Sequence, residues 1–117
     1  MSLDKIYYNP SCSKSRATLK LLQEQGVEVE VINYLENPPT PDELDKICQG
    51  LGVEPIDLIR TKEKRFSELG LSMSQSLPRE KWFEIMSQNP ILIERPIVVY
   101  QNRMVLARPP ENALEIL

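Results

Sequence analysis

The sequence predicts an α/β fold in which a β-α-β half and a β-β-α half are separated by a helical insertion. Three observations carry this. A β-type run, Lys5 to Tyr8, is followed by a helical stretch, Ser15 to Gln25, and by the alternating run Val27-Glu28-Val29-Glu30-Val31. Strand, helix and strand within about 30 residues imply parallel strands joined by a right-handed crossover. The middle of the chain, about residues 40–90, carries helix signals only. The last third holds two apolar runs, Ile97 to Tyr100 and Met104 to Leu106, around Gln101-Asn102, which reads as a tight hairpin.

Taken in order, the first strand has Ile6-Tyr7-Tyr8 as its core and is stopped by Asn9-Pro10. Ala17, Leu19, Leu21 and Leu22 give the next helix an apolar side, with Gly26 as its stop. The strand from Val27 runs on into Ile32-Asn33-Tyr34, its apolar and charged residues alternating as in a half-buried strand. Thr40, Pro41 and Glu43 spell a capping box with proline at the first helical position. Behind them Leu44, Ile47, Cys48 and Leu51 share one face, and Gly50 and Gly52 end the helix. A short helical piece spans Pro55 to Arg60, then a polar, basic stretch from Thr61 to Arg65, then a helical turn from Phe66 to Leu71. Ser76 to Glu80 opens a helix with Trp82, Phe83, Ile85 and Met86 on its core side, closed by Asn89-Pro90. Pro109 to Leu117 reads as a terminal helix. With the insertion set aside, this order is the thioredoxin-like plan, a mixed four-stranded sheet flanked by helices, and residues 1–117 form a single domain of that kind.

Composition excludes several functions. With 14 basic against 17 acidic residues and a net charge of −3, the chain lacks the basic footprint of a nucleic-acid surface. No apolar run is long enough to span a membrane, and Met1-Ser2-Leu3-Asp4-Lys5 lacks the apolar segment of a signal peptide, so a cytoplasmic protein with reduced thiols is expected. There is no histidine, so Cys-His and Ser-His catalysis are out of reach, and two cysteines supply a zinc site poorly. A monomer is expected, because the pattern leaves no large apolar face unassigned.

The chemistry concentrates in Tyr8-Asn9-Pro10-Ser11-Cys12-Ser13-Lys14-Ser15-Arg16. Cys12 falls where a strand stops and a helix starts, beside amides with no intrahelical partner and the positive end of the helix dipole. That setting favours thiolate, and the same amides can receive an oxyanion. Lys14 and Arg16 add nearby positive charge. Ser15 replaces the second cysteine of a Cys-x-x-Cys, so the loop is monothiol and Cys12 must borrow a thiol from outside. Ser15 is a first-turn capping residue or a donor to the thiolate. Cys48, among Leu44, Ile47 and Leu51, reads as core. Arg95 and Arg108 each stand at the end of an apolar strand, and Arg60 ends Ile56-Asp57-Leu58-Ile59. Brought together, three guanidinium forks would clamp a tetrahedral oxyanion. Pro96 occupies the place where a thioredoxin-like fold often carries a cis-proline facing the reactive cysteine.

These residues, with Tyr34-Leu35-Glu36-Asn37-Pro38-Pro39-Thr40, Leu58-Ile59-Arg60, Glu68-Leu69-Gly70-Leu71, Asn89 to Val99 and Arg108-Pro109-Pro110, make the chain resemble the glutaredoxin-dependent arsenate reductase family nearly end to end. Cys-Ser-Lys-Ser and Arg108-Pro109-Pro110-Glu111 are most similar to its chromosomal, less characterised branch. The resemblance implies a monothiol enzyme in which Cys12 is the nucleophile and Arg60, Arg95 and Arg108 bind arsenate. It implies glutathione as co-substrate and glutaredoxin as partner, with no bound metal or nucleotide cofactor. The family commonly has histidine where this chain has Tyr8. Two other functions are compatible with the fold: a Spx-like regulator binding RNA polymerase, which usually carries Cys-x-x-Cys at this loop, and a thiol oxidoreductase with another anionic substrate.

Overall fold

The computed structural model describes residues 4–117; Met1, Ser2 and Leu3, on which part of the signal-peptide reading falls, lie outside them. The structure divides into two compact units, the chain up to Asn37 together with Arg95–Leu117, and Pro38–Glu94.

The first unit holds β1 (Lys5–Tyr8), α1 (Ser13–Glu24), β2 (Glu30–Asn33), β3 (Ile97–Tyr100) and β4 (Arg103–Leu106), and ends in a 3-10 segment, Pro110–Ile116. The strands form one mixed sheet in the order β2-β1-β3-β4, with β1 and β2 parallel and the other pairs antiparallel. The predicted α/β, thioredoxin-like sheet is therefore present. β2 starts three residues later than the alternation suggested. Among the described residues β1 pairs through four positions, from Lys5 opposite Glu30 to Tyr8 opposite Asn33, and β2 is the matching four. The hairpin turns through Gln101 and Asn102 with φ of 48° and 65°, the left-handed pair of a two-residue turn.

Ile6, Leu22, Val98, Ala107, Ala113 and Ile116 form a buried cluster that joins sheet, α1 and the C-terminal segment. Ala113 and Ile116 are three apart, the spacing that eclipses side chains in a 3-10 helix. That spacing fits the terminal segment's 3-10 geometry. α1 stops at Gly26 (φ 72°), where the Val27 N–H donates to Leu22 O and the Gly26 N–H to Gln23 O. These two bonds close a Schellman motif, whose left-handed residue glycine adopts without a Cβ penalty.

The second unit is helical: α2 (Pro41–Leu51), a 3-10 turn (Pro55–Leu58), α3 (Lys64–Glu68), α4 (Arg79–Gln88) and a 3-10 turn (Pro90–Leu92). α2 begins with the capping box read from the sequence. The Glu43 N–H donates to Thr40 Oγ1 (3.2 Å), and the Thr40 N–H donates to Glu43 Oε1 (3.1 Å). Gly50 lies inside the helix, and Gly52 alone takes the left-handed cap. α3 starts at Lys64, so part of the stretch expected to be a basic loop is helical. Leu44, Ile47 and Cys48 of α2 and Trp82, Phe83 and Met86 of α4 are buried as these two helices pack. Among the described residues no helix is long and apolar enough to cross a membrane.

Candidate active site

The site lies at the sheet end where β1 and β2 finish and β3 begins. Asn9 follows β1, Tyr34 follows β2, and Arg95 precedes β3 by two residues. Because Tyr8 pairs with Asn33, the next residues in line, Asn9 and Tyr34, fall side by side. β3 runs antiparallel to β1, so its start reaches the same end. Ala107 donates its N–H to Pro96 O (2.9 Å), which extends the β3–β4 pairing and brings Arg108 opposite Arg95. Arg108 Nη1 then donates to the Arg95 carbonyl at 3.0 Å. Both Arg95-Pro96 and Arg108-Pro109 are cis. The first matches the place noted in the sequence, and the second had no signal there.

The loop between β1 and α1 is held by its own polar groups. Asn9 Oδ1 accepts from the Ser11 N–H (2.9 Å), and the Cys12 N–H donates to Asn9 O (2.9 Å). Ser15 is fully buried, and its Oγ accepts from the Asn9 N–H at 3.3 Å. Cys12 is the N-cap of α1, in extended conformation, and the Arg16 N–H donates to its carbonyl at 3.1 Å to open the helix. The helix begins two residues earlier than predicted, so Cys12 occupies the cap itself rather than the preceding loop.

That position sets the thiol's ionisation. Partial burial pushes the Cys12 pKa up. It is outweighed by the Ser15 amide, the Arg95 guanidinium beside the sulfur, the Ser15 hydroxyl and the Lys14 amide, and the thiol settles at about 7 instead of 9.0. The charge that assists is therefore Arg95, not the side chains of Lys14 and Arg16 that the sequence nominated. Lys14 contributes its backbone N–H, and Arg16 is exposed with Nη1 donating to Pro10 O at 2.7 Å. Lys14, two residues on, leaves Cys12's face of the helix, whereas Arg16, four residues on, shares it and is drawn away by the Pro10 carbonyl.

Of the predicted site residues, Cys12, Ser15, Arg95 and Arg108 are assembled in the first unit. Arg60 belongs to the second unit. There its N–H donates to Leu92 O (2.7 Å), its Nη1 pairs with Glu63 Oε2 at 3.0 Å, and its Nε stands 3.9 Å from Glu94 Oε1. Cys48 is wholly buried, and burial lifts its pKa to about 11, as expected of a core thiol. Two residues of the site escaped sequence reading, Asn9 and Tyr34. The sequence marks Asn9 as a strand stop and Tyr34 as a strand end, and both lie in the stretches that carry the family resemblance, but neither is given a role in the site there. The positions of both depend on strand register, which no local pattern reveals.

The thiol and guanidiniums suit nucleophilic attack on a tetrahedral oxyanion: a thiolate to attack, a fork to hold oxygens, and helix amides to receive charge. Comparison with known proteins is consistent in extent and fold. The ArsC family matches residues 7–116. The uncharacterised Escherichia coli protein YfgD is 48% identical over 114 residues, covering 97% of this chain and 95% of that protein. The arsenate reductase of Escherichia coli K12 is 43% identical over 117 residues, all of this chain and 82% of that enzyme. The solved arsenate reductase of Vibrio cholerae superposes with a TM-score of 0.92 at 48% identity, covering 97% of both chains.

Proposed function

This chain belongs to the ArsC family, and on that premise we propose that it is an arsenate reductase using Cys12 as nucleophile. The observation that supports the reading most directly is Cys12 itself, an N-cap thiol with a pKa of about 7 and Arg95 beside it. Relatives named as arsenate reductases match it across nearly its whole length.

In the proposed reaction arsenate is held by Arg95 and Arg108, with the α1 amides at Ser13 to Ser15 receiving part of its charge. Arg60 is assigned to the same task by the family resemblance. The Cys12 thiolate attacks arsenic, a sulfur–arsenic bond forms, and an arsenic oxygen leaves as water after protonation. Reduction of As(V) to As(III) needs two electrons. Cys12 and one glutathione supply them by joining as a mixed disulfide while arsenite departs. Ser15 offers no second sulfur, so a second thiol, delivered by glutaredoxin and glutathione, must restore Cys12. No bound metal or nucleotide is required. The cytoplasm, where thiols stay reduced, is the fitting compartment, and a monomer is sufficient.

The test is a coupled assay with arsenate, glutathione and glutaredoxin. Wild-type protein should turn over arsenate, and Cys12→Ser should abolish turnover. Undiminished turnover by Cys12→Ser refutes the nucleophile assignment. No arsenate turnover by wild type, with a pulldown of RNA polymerase in its place, favours the regulator.

A further inference from the structure

Three polar atoms near Cys12 are buried and, among the described residues, make no hydrogen bond: Arg95 Nε, Arg95 Nη1 and the Tyr34 hydroxyl. A buried polar group without a partner costs free energy, so three in one cluster call for an explanation. Their chemistry is complementary. Arg95 Nε and Nη1 can only donate, and a phenol oxygen can accept. Tyr34 is fully buried.

We propose that Tyr34 is a positioning residue, whose buried phenol oxygen is an acceptor for a buried N–H of Arg95 when that guanidinium engages the Cys12 thiolate or a bound oxyanion. The proposal rests on Cys12 being the nucleophile, and it assigns Tyr34 no contact with substrate. Arg95 has buried donors to satisfy besides the one that serves the thiolate. Nε and Nη1 have no partner, and no carboxylate lies within ion-pair distance of Arg95 among the described residues. A carboxylate there would neutralise the guanidinium and weaken its hold on the thiolate. A phenol oxygen satisfies the donors and leaves the positive charge available.

The environment of Tyr34 agrees. Burial pushes its pKa up, so the phenol stays neutral. The Arg95 charge and the Asn9 side-chain amide act the other way, because both turn positive groups toward the oxygen, and the Cys12 charge raises it further. Arg95 and Asn9 are thus the two groups that favour negative charge on that oxygen, which is what suits it to accept. Asn9 also anchors the cysteine loop through Ser11 and Ser15. Tyr34 therefore stands between the guanidinium and the loop that carries the nucleophile. The register of β1 on β2 puts it there.

The experiment is the pH profile of Cys12 alkylation by iodoacetamide in Cys48→Ala protein, which leaves one thiol to report, with and without Tyr34→Phe. It needs neither arsenate nor glutathione, so its outcome is separate from that of the turnover assay. Tyr34→Phe keeps the ring and removes the acceptor. Its midpoint should rise, the alkylation rate at pH 7 should fall by no more than about twofold, the loss that goes with a rise of about one unit, and protection of Cys12 by inorganic phosphate should weaken. Tyr34→Leu, a second variant without the oxygen, should move the midpoint in the same direction. Because Tyr34 acts through Arg95, Tyr34→Phe should have no further effect on the midpoint in an Arg95→Met background. An unchanged midpoint in both Tyr34 variants overturns the proposal. So does a shift that persists in full when Arg95 is already methionine. A purely structural role would change the melting temperature without moving the midpoint.

Discussion

Replacing Arg95 by methionine tests what makes Cys12 reactive. Burial alone would raise the thiol's pKa above 9.0, yet it lies at about 7 because four donors outweigh that penalty, Arg95 among them. At pH 7 a thiol of pKa 9.0 is about 1% ionised and one of about 7 is half ionised, a gain of roughly fiftyfold in thiolate. A less basic thiolate is also a weaker nucleophile, by about eightfold over this range for a Brønsted slope of 0.4–0.5. The net advantage at pH 7 is therefore roughly sixfold. Arg95→Met keeps the burial and the Ser15 amide and removes the guanidinium, so the midpoint must move up and the rate at pH 7 must fall, by no more than about that sixfold if Arg95 accounted for all of it.

The same reasoning requires a crossing. Well above pH 9 both proteins are thiolate, and the more basic sulfur of Arg95→Met attacks faster. Rate against pH, measured with iodoacetamide on Cys48→Ala protein, should start below wild type and finish above it. Ser15→Ala should give a smaller rise in midpoint, because the Ser15 amide stays and the hydroxyl ranks below Arg95 among the donors. A wild-type midpoint near 9 would refute the argument. So would a loss in Arg95→Met that is equal at every pH, which would point to access, not ionisation.

Two further outcomes concern stability. Cys48 ionises at 9.0 when unfolded and at about 11 when folded, so above pH 9 unfolding releases a proton. Its contribution to stability is therefore present below pH 9 and is lost as pH rises toward 11. In urea titrations across that window Cys48→Ala should lose stability less steeply than wild type, and equal slopes would remove Cys48 as the cause. Thr40→Ala removes the hydroxyl that accepts from the Glu43 N–H at the start of α2, while the backbone N–H of residue 40 can still donate to Glu43, and it should cost about 1 kcal/mol by urea denaturation. Glu43→Ala removes the other bond, from the Thr40 N–H to Glu43 Oε1, and should add a loss of its own in the double variant.

What could be read from the sequence follows from how local each signal is. The capping box at Thr40, the Gln101-Asn102 turn and the stop at Asn9-Pro10 are chain-local, and each appears where read. The strand from Val27 was overextended because alternation reports which residues could lie in a half-buried strand, whereas pairing decides which do. Among the described residues β1 pairs through four positions. Cys12 was legible because a strand stop and a helix start bracket it within a few residues. Arg95 and Arg108 stood out because apolar strands and prolines flank them, and the hydrogen bond from Arg108 to the Arg95 carbonyl puts those two strand ends together.

The charge partner of Cys12 was assigned by sequence proximity, to Lys14 and Arg16, and that rule fails at a helix start. A side chain two positions along a helix points elsewhere, and one four along can be held by another acceptor, while a strand from the other half of the chain can end directly against the cap. Arg95 is 83 positions away and beside the sulfur; Arg16 is 4 away and turned to Pro10. Tyr34 was invisible for the same reason, since only the register between β1 and β2 carries it to Asn9 and Arg95. A reactive cysteine at a helix cap is thus announced by its own neighbours, but the groups that tune it arrive through the sheet. Substitutions that shift strand register should accordingly disturb Cys12 ionisation more than substitutions of the charged residues next to it.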